Sequence, residues 1–438
     1  MSTQTKTLNL NPISDFSMTT DQRFSLVQTE INGHSIADLV CQYGSPLYVY
    51  DGQTIDQQVR RLRPFDVIRY AQKANSNLAI LDRLRQLGVV VDAVSAGEIH
   101  RARSAGFLYQ GEPSPMVYTA DIFDRPSLDL VVRNRIRVNA GSPDMIRQLG
   151  ELAPGQAITL RINPGFGHGH SAKTNTGGTS SKHGIWYQQI PECLELARQY
   201  QLTVAGLHLH IGSGTNFEHL SRVCQAASKL ARQIGPSITT LSAGGGLPTP
   251  YRSSDPEIDI DRYFQLWDQT RRELETEFGH SISLEIEPGR YLVAESGYLI
   301  AEIRAIKSMG DRLYYLVDAG FNNLARPILY GAYHPMAIAF QGPPSDEVQQ
   351  VIVGGPLCES GDIFTQEEGG FVSPRELPVA NIGDYLIIQC AGAYGFVMSS
   401  NYNGKPFAAE VLLDGQHSHL IRSRQSLDEL IAGERIPR

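Results

Sequence analysis

Val67-Ile68-Arg69-Tyr70-Ala71-Gln72-Lys73-Ala74-Asn75 begins with five residues of strand character and closes on a lysine at a turn. The run Val67–Ala71 predicts a short buried strand, and Ala74-Asn75-Ser76-Asn77 breaks the chain before a helical run ending near Leu87. A lysine at the carboxyl end of an inner strand does nothing for solubility. It is well placed for chemistry, because open α/β sheets and (β/α)8 barrels carry their sites at that edge. Its amine can condense with a carbonyl where burial or a neighbouring cation lowers its pKa. The plain structural alternative is a lysine that caps the helix or pairs with a carboxylate.

Outward from this stretch the same rhythm repeats. Strand-like runs are expected at Val67–Ala71, Val89–Val94, Met116–Tyr118, Arg135–Asn139, Ile158–Ile162, Val204–His210, Thr239–Ser242 and Ser283–Ile286. Amphipathic stretches such as Ile80–Leu87, Gly97–Ala105, Ser142–Leu149, Pro191–Arg198, Leu220–Ile234 and Ile260–Phe278 lie between them. Eight strand–helix units in about 230 residues have the size and period of a TIM barrel. A doubly wound sheet normally has fewer strands in that length. The expected strand ends gather Lys73, Ser95, Thr119, Asn139, Asn163, His210 with Ser213, Gly244-Gly245-Gly246, and Glu287 with Arg290. One catalytic mouth accounts for that gathering.

After about Leu299 the rhythm changes to strands joined by turns. Tyr314–Asp318, Gln349–Val353, Tyr385–Ile388 and Glu410–Leu413 read as a mostly antiparallel β domain, with Asp414-Gly415 as a hairpin signal. The early strand Leu47–Tyr50 is expected to join that sheet. The implied division is a mobile arm over 1–22, a segment over 23–60 that joins the β domain, a barrel over 61–298 and the β domain over 299–438.

The totals bound the function. With 438 residues, the chain exceeds one ordinary core. A net charge of -8 argues against nucleic acid and against a basic membrane patch. No apolar run is long enough to span a membrane, and the polar start lacks a signal-peptide core. Five scattered cysteines without a CxxC pair suggest reduced thiols in a cytoplasmic protein.

Several motifs carry chemistry. In His208-Leu209-His210 both histidines face one side, suited to stacking on a flat ring or to a metal, for which His168, His170 and His183 are nearby candidates. No carboxylate or cysteine completes a recognisable metal pattern, so no metal is expected. The loop Ser242-Ala243-Gly244-Gly245-Gly246 allows amides to approach an anion, and follows the seventh expected strand, where barrels usually bind phosphate. Glu287 and Arg290 close strand eight, either serving a ring nitrogen and an anion or pairing with each other. Cys358-Glu359 and the glycine-flanked Tyr394 lie in the β domain.

Together the motifs YAQKANSN, SAGEI, GLHLHIGSG, SAGGG, EPGR, ARPILYGAYH, GGPLCESGD and GAYGFVMSSNYN, in this order, resemble the fold-type III pyridoxal-phosphate decarboxylases from about Ile36 to Leu430. The long Gly165–Trp186 loop and MSSNYN resemble the branch found in enteric bacteria. The resemblance implies an alanine-racemase-like barrel with a β domain, and pyridoxal 5'-phosphate as cofactor. Lys73 would hold the cofactor as a Schiff base and His210 would stack on its ring. Ser213, Gly244, Gly245, Gly246 and the Gly289-Arg290 backbone would bind phosphate, and Glu287 would keep the ring nitrogen protonated. Arg290, Arg326 and Tyr330 would bind a distal carboxylate and Glu359 a distal amine. Cys358 would supply a proton, and Tyr394 would contact cofactor and substrate. The segment with Cys358 and Glu359 would reach a neighbouring subunit's site, implying a homodimer with shared sites. The implied reaction is decarboxylation of meso-2,6-diaminopimelate to L-lysine. The alternatives are decarboxylation of another diamino acid such as D-lysine or D-ornithine, a racemase on the same fold, or a silent cofactor-binding homologue.

Overall fold

The computed structural model describes residues 23–167, 177–210 and 216–437. The arm Met1–Gln22, His168, His170 and Ser213 lie outside the described residues. Eight parallel strands form a closed barrel: Val67–Ala71, Val90–Ala93, Met116–Ala120, Arg137–Ala140, Ala157–Asn163, Thr203–His208, Thr240–Ser242 and Ser283–Ile286. The eighth returns to the first through Glu285↔Val67, and the fifth pairs with the sixth. Barrel helices start where a short polar side chain accepts a backbone N–H. Asn77, Ser95, Asp124, Ser142, Asn216 and Asp259 do this, each cap contributing about 1 kcal/mol.

Several strand boundaries shift by one or two residues from expectation, and two of the shifts bear on the reading of the chain. The fourth strand begins at Arg137, because Arg135 ends the helix Arg125–Asn134 in a left-handed conformation (φ 49°). The sixth strand stops at His208, so His210 belongs to the loop beyond it.

The barrel holds a buried ion pair in place of some of the branched apolar residues usual inside it. Arg69 on the first strand is fully buried and meets Glu285 on the eighth: Nη2 donates to both carboxylate oxygens at 3.0 and 3.1 Å, and Nη1 donates to Ser114 O at 2.9 Å. Breaking such a pair strands a buried charge, whereas replacing both members with apolar residues does not. Arg69→Ala is expected to lower the unfolding free energy by about 3–5 kcal/mol in urea titrations, with Arg69→Met/Glu285→Leu recovering most of it. Equal losses in the single and double variants would refute this account.

The second sheet runs in the order Arg375–Pro378, Val348–Gly354, Arg312–Val317, Gly297–Met309, Leu47–Asp51, Ala409–Asp414 and His417–Arg422. Tyr385–Ile388 also pairs with Gly297–Met309, and Met336–Ala339 pairs with Tyr385–Ile388. Most pairings are antiparallel; two neighbours are parallel, Arg312–Val317 with Val348–Gly354 and Leu47–Asp51 with Ala409–Asp414. The N-terminal strand therefore sits in the middle of the C-terminal sheet, as expected. Gly415 occupies the hairpin turn after Asp414 with φ 57°.

Candidate active site

Lys73 lies in the single 3₁₀ turn Gln72–Ala74 directly after the first barrel strand. Ala71, Gln72, Ala74 and Asn75 are buried while Lys73 is exposed. Its amine has no hydrogen bond or ion pair among the described residues. The turn itself is held from both domains. Tyr70 Oη donates to Asn75 O at 2.9 Å, Tyr394 N to Ala74 O at 2.8 Å, and Asn75 Nδ2 to Gly392 O at 3.1 Å. The lysine is thus a free amine on a fixed base, neither a cap nor half of an ion pair.

Around it the strand ends form a polar floor. Glu287 is buried and accepts from His208 Nε2 at 2.6 Å, and from Asn139 Nδ2 and Ser242 Oγ at 3.3 Å each. It does not pair with Arg290. Burial pushes its carboxyl up, but the charge and hydrogen bond of His208, with Arg69 and His210, outweigh this and hold it at about 2. Burial, together with the Glu287 charge, pushes the neighbouring Asp92 carboxyl well above its usual range. Two carboxyls in one pocket are thereby driven apart in proton affinity, a pattern common at working sites. A depressed Glu287 stabilises the fold above its unfolded value near 4.5 and loses that contribution as pH falls toward 2. The stability advantage of wild type over Glu287→Gln is therefore expected to shrink from about pH 5 to about pH 2. Denaturant melts across that range check it, and a pH-independent difference would contradict the assignment.

The His210 ring lies parallel to that of His208 (interplanar 2°, centroids 6.4 Å). Gly245 N donates to its Nδ1 at 2.8 Å, which leaves the proton of the neutral ring on Nε2. Burial, with the positive charges of Arg161 and Lys73, pushes His210 well below its ordinary pKa, so the ring is neutral. The glycine loop follows the seventh barrel strand, as read from sequence. Its amides are less available than expected: Gly244 N donates to Ser242 Oγ at 3.2 Å and Gly245 N is committed to His210. Gly244 has φ 64°, and a Cβ there would lie 2.1 Å from Leu209 O, so only glycine fits. Among the described residues the amides of Gly246, Gly289 and Arg290 donate to nothing. Gly289 packs on the lysine turn, where a Cβ would meet Ala71 Cβ at 3.2 Å and Ala74 Cβ at 3.3 Å.

Two arginines complete the mouth. Arg290 Nη1 and Arg326 Nη1 both donate to Tyr251 Oη, at 2.8 and 3.0 Å. The Arg290 guanidinium also lies 5.1 Å from the Tyr394 ring centroid, and the Tyr330 phenol is within its electrostatic reach. Neither arginine has a carboxylate partner among the described residues. Cys358 and Glu359 are exposed on a β-domain loop and touch none of these groups; Cys358 N donates to Asn403 Oδ1 at 2.8 Å. Two residues at the expected strand ends are local fixtures. Ser95 caps a helix, and Asn163 Oδ1 accepts from Gly165 N and Gly178 N. His183 pairs with Asp121 at 2.7 Å, and no His, Cys, Asp or Glu cluster suited to a metal exists among the described residues. Sequence reading missed Asp92, Tyr251 and His334. Asp92 did leave a signal, a lone acid in Val90-Val91-Asp92-Ala93.

Residues 53–294 match the family model described as pyridoxal-dependent decarboxylase, pyridoxal binding domain. A diaminopimelate decarboxylase of Streptomyces coelicolor is 52% identical over 409 residues, covering 93% of each chain. One of Escherichia coli K12 is 48% identical over 409 residues, covering 93% of this chain and 97% of its own. A solved structure of a diaminopimelate decarboxylase superposes with a TM-score of 0.89 at 47% identity, covering 93% of this chain and 98% of its own. The chain belongs to the pyridoxal-dependent decarboxylases and, within them, to the diaminopimelate decarboxylase family.

The residues present fit pyridoxal phosphate. An unpaired amine, a buried ionised carboxylate, a flat neutral imidazole and uncommitted amides on two adjacent loops supply one group for each part of it. Buried Asp92 Oδ1, Gln72 Oε1 and His208 Nδ1 have no hydrogen-bond partner among the described residues, as expected of a pocket that a polar ligand completes.

Proposed function

We propose that the protein decarboxylates meso-2,6-diaminopimelate to L-lysine and carbon dioxide, using pyridoxal 5'-phosphate. The observation that carries this reading is the convergence of Arg290 and Arg326, neither with a carboxylate partner among the described residues, beside the Lys73 turn. A substrate that keeps a second carboxylate away from the reacting carbon calls for such a fork; ornithine does not.

Pyridoxal phosphate, when bound, supplies the electron sink for the bond that breaks as carbon dioxide leaves. Lys73 Nζ is the attachment point for the cofactor's aldehyde. Glu287, ionised on its His208 support, would hold a proton on the ring nitrogen. The His210 ring, aimed by Gly245 N, would stack on the ring face. The amides of Gly246, Gly289 and Arg290 would hold the phosphate, and Ser213, which lies outside the described residues, would join them. Gly244 and Gly245 serve it indirectly, one by the turn and the other by fixing His210. Arg290, Arg326 and Tyr330 bind the distal carboxylate, Glu359 the distal amine, and Tyr394 borders both ligands. Cys358 Sγ delivers a proton to the carbon that has lost its carboxylate. Because Cys358 and Glu359 stand exposed on their own chain, the active unit is a homodimer in which they enter the partner's site.

The division into arm, N-terminal segment, barrel over 61–298 and β domain over 299–438 belongs to this proposal. So does a cytoplasmic location, which five free cysteines favour. No helix among the described residues is long and apolar enough to cross a membrane.

The test is carbon dioxide release by the cofactor-loaded protein offered meso-diaminopimelate, L-ornithine, L-arginine or D-lysine separately. Release from diaminopimelate alone, with lysine formed, is expected. Release only from D-lysine would overturn the role of the arginines.

A further inference from the structure

Tyr251 and His334 have no part in the site as read from sequence, yet hydrogen-bond accounting ties both to Arg326. A phenol oxygen accepts two hydrogen bonds and donates one. Tyr251 Oη already accepts from two guanidiniums, Arg290 at 2.8 Å and Arg326 at 3.0 Å. Its acceptor capacity is full, and its own proton has no acceptor among the described residues. Two cations and one O–H therefore converge on a point where the described residues supply no anion.

His334 fixes the other side of Arg326. It is 2% exposed, and its Nδ1–H donates to Gln389 O at 3.0 Å. That leaves Nε2 as an acceptor, which takes Arg326 Nη1 at 2.9 Å. Burial and the Arg326 charge push the imidazole well below its ordinary pKa, so it stays neutral and keeps that lone pair. Arg326 Nη1 carries two hydrogens; one goes to Tyr251 and the other to His334. The free donors of this guanidinium are then Nε–H and the two on Nη2, the edge suited to a bidentate carboxylate. A Lys at this position offers no such edge.

We propose that Tyr251 and His334 make Arg326 selective: Tyr251 couples Arg326 to Arg290 and donates its phenolic proton to the substrate's distal carboxylate, and His334 sets which edge of Arg326 faces it. Tyr251 is a binding residue and His334 a positioning residue. The proposal rests on the reading of Arg290 and Arg326 given under Proposed function.

The experiment uses cofactor-loaded wild type, Tyr251→Phe, His334→Gln and His334→Leu, each checked for cofactor absorbance. It measures kcat and KM on meso-diaminopimelate. It also measures calorimetric binding of L-lysine, which keeps the distal carboxylate, and of 1,5-diaminopentane, which has none. Tyr251→Phe and His334→Leu are expected to lose roughly tenfold or more in kcat/KM, mostly through KM, and a similar factor in L-lysine affinity, with diaminopentane binding unchanged. His334→Gln, whose amide both accepts and donates, restores most of the loss. Equal weakening toward both amines would assign the residues to general packing and overturn the proposal, as would unchanged lysine affinity in Tyr251→Phe. Failure of wild type to release carbon dioxide from diaminopimelate would instead overturn the underlying function.

Discussion

Lys73→Ala is expected to purify without the visible absorbance of the lysine-bound cofactor and to lose kcat/KM by a factor on the order of 10⁴ or more. The reason is positional. The amine stands on a turn braced by Tyr70, Asn75 and Tyr394, so no other group can take its place without moving the strand end. His210, a nitrogen base within the electrostatic reach of Lys73, is fixed by Gly245 N and kept neutral by burial. The substitution separates chemistry from folding, because Lys73 is exposed and has no partner among the described residues. Apo wild type and apo variant should therefore unfold within about 0.5 kcal/mol of each other in urea. Added cofactor should stabilise only wild type in proportion to its binding. If the variant kept the absorbance, the lysine assignment would fail. If apo Lys73→Ala were much less stable, Lys73 would be structural after all.

What made this lysine legible was local: a cation closing an apolar strand, before a capped helix. The barrel was legible for the same reason, since strand and helix periods alternate and short polar residues such as Ser142 and Asp259 mark helix starts. Boundaries failed where one backbone angle decided them, as at Arg135. The support of the site was not legible. Tyr251 reaches Arg290 and Arg326 across separations of 39 and 75 residues, from a loop whose Pro and Ser content reads as linker. His334 sits between Tyr333 and Pro335, where nothing in the sequence separates a turn residue from a buried acceptor. The glycine loop shows the converse. Gly244-Gly245-Gly246 predicted a phosphate cradle, but two of its amides serve Ser242 and His210, a use that only the folded loop reveals.

Mixing two inactive variants tests the remaining gap, the position of Cys358. Its loop is braced from within: Asp362 Oδ2 accepts from Leu357 N at 2.8 Å, Asp362 Oδ1 from Phe321 N at 2.7 Å, and Gly355 N donates to Asp362 O at 2.9 Å. The brace leaves Cys358, Glu359 and Ser360 exposed at the tip. An exposed, preorganised tip that does not reach its own Lys73 suits an isologous dimer, in which each tip enters the other chain's mouth. Lys73→Ala and Cys358→Ala should each be nearly inactive alone, Cys358→Ala by the 10²–10⁴-fold typical of a lost proton donor. Random exchange of equal amounts makes about half of the dimers mixed, and each mixed dimer has one site with both defects and one with none. The mixture should thus recover about a quarter of wild-type activity. Differently tagged, co-expressed chains isolated by sequential affinity steps should show about half, since every dimer is then mixed. If lysine and cysteine served one site from one chain, no mixture would exceed the sum of its parts. Cys358 would then have to reach Lys73 within its own subunit by unfolding the Asp362 brace, and Asp362→Asn, which weakens that brace, would raise the rate instead of lowering it.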